Sequence, residues 1–151
     1  MLKEGDKAPA FKLVDEEGKN VSLADFKGKP VVIFFYPKAL TTGCTQEACD
    51  FRDSAAALKK KKAIVLGVSK DPVKKLMKFK ETHELNFPLL SDEGGKMCEA
   101  YGVWKEKSMY GRKYMGIERT TFVIGPTGKI EKVFNKVKIN GHVAEVVESL
   151  S

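Results

Sequence analysis

The chain has 151 residues, 42% hydrophobic and 31% charged. That composition excludes a disordered or low-complexity polymer and predicts one globular domain over residues 1–151, large enough to bury a core without covalent staples. The net charge of +7 comes from cations dispersed along the chain. Their one run, residues 59–62, ends a helical pattern, where positive side chains suit the negative end of the helix dipole, so neither a nucleic-acid nor a membrane partner is expected.

In chain order, residues 11–14 and 21–23 read as short extended pieces around a turn at residues 16–19. Residues 30–36 form a continuous β-branched and aromatic run closed by Pro37, the pattern of a strand buried on both faces. Cys44, Ala48, Phe51, Ala55 and Leu58 then share one helix face. Residues 63–68 give a second buried strand. Asp71-Pro72 reads as an N-cap followed by proline at the first helical position, opening a helix to about Glu84. A short strand at 87–90 and a short helix at 95–101 follow. Residues 119–124 and 129–134 flank Gly125-Pro126-Thr127-Gly128 as a hairpin, and residues 141–150 form a last helix. Strands alternating with helices and then a hairpin predict an α/β chain with a mixed central sheet flanked by helices.

The longest apolar run, residues 31–35, is far short of a membrane span, and Met1 to Asp6 lack the apolar stretch of a signal peptide, so a cytoplasmic location is expected. Cys44, Cys49 and Cys98 are too few, and odd in number, for a secreted disulfide scaffold. Cys44 falls where a buried strand has passed through a short loop into a helix. Unpaired N–H groups and the positive dipole end there favour a thiolate and lower a cysteine's pKa. Spacing alone leaves two readings open, a reactive sulfur or a small core residue on the apolar stripe. Cys49 lies off that stripe. In an ideal helix the two Cα atoms would be roughly 8.7 Å apart and about 140° out of phase, too far to bond. If Cys44 becomes a sulfenic acid, the helix start must unwind before Cys49 can condense with it. A zinc site drawn from the cysteines with His83 or His142 lacks any C-x-x-C pair; no metal or cofactor is expected. A general disulfide oxidoreductase would also want C-x-x-C. A chaperone or nucleic-acid-binding module has only the +7 charge in its favour.

The stretch Pro37-Lys38-Ala39-Leu40-Thr41-Thr42-Gly43-Cys44 contains P-x-x-x-T-x-x-C, which resembles the active-site signature of peroxiredoxins. Gln46 to Asp53 is similar to the subgroup called bacterioferritin comigratory protein or peroxiredoxin Q. Further similarity lies at residues 5–11, 87–92, 101–104 and 116–124, so the resemblance covers nearly the whole chain. It implies a thioredoxin-like fold with an N-terminal β extension. It also implies a peroxidase acting on hydrogen peroxide and alkyl hydroperoxides, recycled by thioredoxin or a similar dithiol, in a monomer. By resemblance Cys44 is the peroxidatic cysteine and Cys49 the resolving one. Thr41 hydrogen-bonds thiolate and peroxide, Arg119 brings a guanidinium to the sulfur, and Pro37 shapes and shields the pocket. Many relatives carry an acid where Ala39 stands and a proline where Thr42 stands, with Leu40 between; those departures bear on loop stiffness and substrate preference. Cys98 matches no usual redox position, and with Met97 and Tyr101 it reads as a buried structural thiol. Tyr36 and Trp104 read as core.

Overall fold

A computed structural model describes residues 2–150. Along the chain run β1 (Lys12–Val14), β2 (Asn20–Ser22), a 3-10 turn (Leu23–Phe26), β3 (Val31–Phe35), α1 (Thr42–Asp53), α2 (Ala55–Lys60) and β4 (Ile64–Ser69). There follow α3 (Val73–His83), β5 (Leu89–Ser91), α4 (Lys96–Ala100), β6 (Trp104–Met109), β7 (Arg112–Ile117), β8 (Thr120–Ile124), β9 (Ile130–Phe134) and α5 (His142–Ser149).

The two continuous apolar runs are neighbouring strands at the middle of a seven-stranded sheet ordered β2-β1-β5-β4-β3-β8-β9. β3, β4 and β5 are parallel, while β8 pairs antiparallel with β3 and β9 with β8. Period-two alternation divides β3 between two cores. Val32, Phe34 and Tyr36 pack with Phe51, Leu76, Phe79 and Val146. Val31, Ile33 and Phe35 pack with Met97, Cys98 and Tyr101 on the other face. β1 and β2 extend the sheet at its β5 edge through a single pairing of Val14 with Ser91. This is a thioredoxin-like fold with a mixed sheet between helices, as expected.

Three local expectations differ. The stripe from Cys44 to Leu58 is broken at Ser54, whose backbone (φ −95°, ψ 11°) leaves the helical region while its N–H is shared between Asp50 and Phe51 carbonyls. Pro72, not Asp71, caps α3, because the Asp71 carboxylate is occupied elsewhere. Residues 104–117, for which the sequence predicts no element, form a separate two-stranded ribbon, β6 with β7. Its Tyr110-Gly111 turn takes positive φ at both residues, 51° and 77°, the type I′ geometry that matches strand twist.

Candidate active site

β3 ends at Phe35, the buried Tyr36 follows it, and Pro37, half-buried, continues the loop that leads to α1. Two features fix that loop. The Ala39 N–H donates to Asp71 Oδ2 at 2.8 Å, and Ser69 Oγ donates to the same oxygen at 2.7 Å. Leu40 then takes a left-handed backbone, φ 66°. Thr41 occupies the N-cap position of α1 in extended conformation, its carbonyl accepting the Thr45 N–H at 2.9 Å. α1 begins at Thr42, so Cys44 lies in the first turn, among N–H groups that lack intrahelical partners and at the positive dipole end. The sulfur residue is buried, 1% exposed.

Arg119, immediately before β8, reaches back across the sheet end. Its Nη2 donates to Cys44 Sγ at 3.2 Å and its Nη1 to Glu47 Oε1 at 2.7 Å. Glu47 is fully buried. Being three residues after Cys44, it projects from the same helix face. Burial pushes its carboxyl up to about 7, against the opposing pull of Arg119. Burial works against the Arg119 charge, but Glu47 and Cys44 outweigh it and raise its pKa. A Cβ at Gly43 would sit tightly, 3.1 Å, against Ile139 Cδ1 and in ordinary contact, 3.5 Å, with Arg119 Nη2. His142 is buried behind this group, with Nε2 at 2.8 Å from Thr121 Oγ1. Burial, then the Arg119 charge, lowers its pKa to about 4, so the ring is neutral near pH 7.

The sequence-predicted residues therefore fall as follows. Cys44 and Arg119 are in contact. Thr41 is adjacent, but its hydroxyl donates to the Lys38 carbonyl at 2.8 Å; among the described residues no bond joins it to Cys44, and the oxygen lone pairs are left as acceptors. Cys49 is half-buried in the intact α1, and all three cysteines are unpaired. Cys98 lies across the sheet in the opposite core, its N–H bonded to Asp92 Oδ2 at 2.8 Å and its thiol pKa pushed up by burial first and then by Asp92. Tyr36 is fully buried, and Lys70 Nζ lies 4.0 Å over the Trp104 ring. Among the described residues no metal-ligand cluster contains a cysteine or a histidine; the group found is Asp15, Glu16 and Glu17. Among the described residues no helix is long and apolar enough to cross a membrane.

Three contributors escaped the sequence reading. Glu47 was legible in principle, since an acid between Cys44 and Ala48 on the apolar stripe is out of place unless paired. Asp71 was read as a helix cap. Lys107, on the unassigned ribbon, lies with Cδ 3.3 Å from the position of a Cβ on Gly116, and its pKa is lowered by burial first and then by Arg119.

Comparison with known proteins bears on this arrangement. Residues 4–133 match the AhpC/TSA family. The chain is similar to the putative peroxiredoxin bcp of Coxiella burnetii, 52% identical over 99% of each chain. It is similar to the peroxiredoxin Bcp of Escherichia coli strain K12, 51% identical over 93% of this chain and 90% of that one. Among solved structures, Xylella fastidiosa PrxQ superposes with a TM-score of 0.94 at 36% identity, covering 99% of this chain and 96% of that one. Xanthomonas campestris bacterioferritin comigratory protein, described for its alkyl peroxide reduction activity, superposes at 0.89 with 39% identity, covering 93% and 89%.

Proposed function

The chain belongs to the AhpC/TSA family, in its Bcp or peroxiredoxin Q branch, and is a thiol-dependent peroxidase; on that premise we propose that Cys44 is the sulfur that attacks the peroxide and Cys49 the one that resolves it. The observation that carries this reading is the 3.2 Å bond from the Arg119 guanidinium to Cys44 Sγ.

In the first step the Cys44 thiolate attacks the terminal, hydrogen-bearing oxygen of a hydroperoxide. The S–O bond forms as the O–O bond breaks, and sulfur is oxidised to the sulfenate. The departing oxygen takes the hydroperoxide's own proton and leaves as water or an alcohol, and a proton from solvent completes the sulfenic acid. A guanidinium and helix-start N–H groups fixed before the reaction begins stabilise negative charge on sulfur and on the oxygen it displaces. Thr41 Oγ1, with its own hydrogen held by Lys38, accepts the hydrogen of the peroxide OH and orients it. Pro37 walls the loop side. Glu47 is a positioning residue: its carboxylate fixes the second arm of Arg119. Hydrogen peroxide and alkyl hydroperoxides are the substrates, a reading supported by the alkyl peroxide activity described for the Xanthomonas relative.

In the second step the first turns of α1 unwind, because two cysteines five residues apart on an intact helix cannot meet. The Cys49 thiol displaces water from the sulfenic acid to give the disulfide. A dithiol protein such as thioredoxin then reduces it by exchange, itself becoming oxidised. The chain works as a single cytoplasmic domain and a monomer.

The test is peroxide consumption with reductant by wild type and Cys44→Ser, with disulfide mapping after one equivalent of peroxide. Loss of turnover in the variant and a Cys44–Cys49 bridge in the wild type are expected. Undiminished turnover, or a bridge to Cys98, would end the proposal.

A further inference from the structure

A cavity of about 670 Å3 opens at the end of the sheet remote from Cys44. Its lining takes Lys29, Ile64 and Pro88 from the entries to β3, β4 and β5, whereas Cys44 follows the exit of β3. The five residues of β3 separate the two ends by roughly 16 Å. The volume is within the roughly 300–1,000 Å3 of small-molecule sites.

Two features define what fits. The floor is apolar, built from Phe51 of α1, Leu58 of α2 and Phe87. The rim is cationic, with Lys29, Lys59 and Lys62, all exposed. None of the three is ion-paired among the described residues, and no carboxylate of the described residues lines the cavity. Lys59 and Lys62 belong to the four-lysine run that the peroxidase chemistry does not use. Lys62 turns the chain in the left-handed region, φ 58°, with its N–H on the Lys59 carbonyl at 2.9 Å, so a tight turn brings these two rim lysines together.

We propose that this cavity is a binding site for an amphipathic anion, a single acyl chain ending in a carboxylate, with the chain over Phe51, Leu58 and Phe87 and the head among the three ammonium groups. The volume suits one small molecule. The rim offers three exposed ammonium groups and, among the described residues, no carboxylate, so an anionic head gains attraction that an uncharged alkane lacks. With its head held a sheet's length from the sulfur, the occupant is a ligand distinct from the reacting hydroperoxide.

Decanoate, titrated calorimetrically into the full-length protein below its micelle threshold, tests this. A Kd on the order of 100 µM is expected for so few heavy atoms. Decyltrimethylammonium, with the opposite head charge, should bind at least tenfold more weakly. The double variant Lys59→Glu, Lys62→Glu should weaken decanoate at least tenfold while peroxide turnover stays within twofold; a thermal melt confirms that it folds. Cys44→Ser should bind decanoate like wild type, which separates this site from the peroxidase reading. No binding by about 2 mM decanoate, equal affinity for the cationic amphiphile, or undiminished affinity in the charge-reversed variant would each overturn the proposal.

Discussion

Glu47→Gln replaces a fully buried carboxylate that bonds Arg119 by a neutral amide of the same shape. In the folded chain burial carries the carboxyl from its ordinary 4.5 to about 7. Between those values the folded state holds a proton that the unfolded state has released, so wild-type stability falls as pH rises from 4.5 to 7, by about 3 kcal/mol for this group. His142 has the opposite slope. Its folded pKa is depressed to about 4 against the ordinary 6.5, so the unfolded state binds the extra proton and stability rises with pH over nearly the same window. In the wild type the two slopes oppose each other. In the glutamine variant the His142 slope stands alone. Urea unfolding of both proteins from about pH 4 to pH 8 should show the variant gaining about 3 kcal/mol on the wild type across that range. At pH 8 the same variant should lose roughly tenfold in kcat/KM, because a neutral amide holds Arg119 less firmly than a carboxylate does. Parallel stability profiles for the two proteins would refute the assignment of the raised pKa to Glu47.

Cys49→Ser should still consume one equivalent of peroxide and stop at a Cys44 sulfenic acid, seen as a mass gain of one oxygen with no loss of hydrogen; multiple turnover with a dithiol protein should collapse. Asp71→Ala removes the acceptor of the buried Ala39 N–H and should lower unfolding free energy by about 1–3 kcal/mol, measured by urea melts, with slower Cys44 oxidation as the loop loosens. Gly43→Ala sets a Cβ 3.5 Å from Arg119 Nη2 and 3.1 Å from Ile139. Alanine favours the helix by about 1 kcal/mol over glycine and, among the described residues, the only tight neighbour is the side-chain end of Ile139, so the melting temperature should hold and kcat/KM should stay within about twofold of wild type.

The sheet centre was legible because β3 and β4 are buried on both faces and read as unbroken apolar runs. The Asp71-Pro72 pair misled because its cap chemistry is correct in isolation; only the fold brings Ala39 within reach of that carboxylate. β6 and β7 were invisible for a different reason. Their residues are largely exposed or half-buried and charged, and the turn is Tyr-Gly rather than Asn-Gly, so neither burial pattern nor turn chemistry marks them. At the site, helix-start chemistry pointed to Cys44 as one of two open readings, but nothing local connects it to Arg119, 75 residues away. That pairing came from the resemblance to a family, and its geometric basis is the antiparallel placement of β8 beside β3. Glu47 was missed because charged helix residues are ordinarily solvated, although its place on the Cys44 face marked it.

The most direct measurement is the single-turnover rate of Cys44 oxidation in Arg119→Ala, followed by stopped-flow at limiting peroxide. Removing one preorganised donor to a charge-bearing centre should slow the step by about 10²–10³-fold, with Arg119→Lys intermediate because an ammonium cannot bond sulfur and Glu47 together in a planar fork. Oxidation at the wild-type rate in a folded Arg119→Ala protein would show that the guanidinium beside the sulfur takes no part in cleaving the O–O bond.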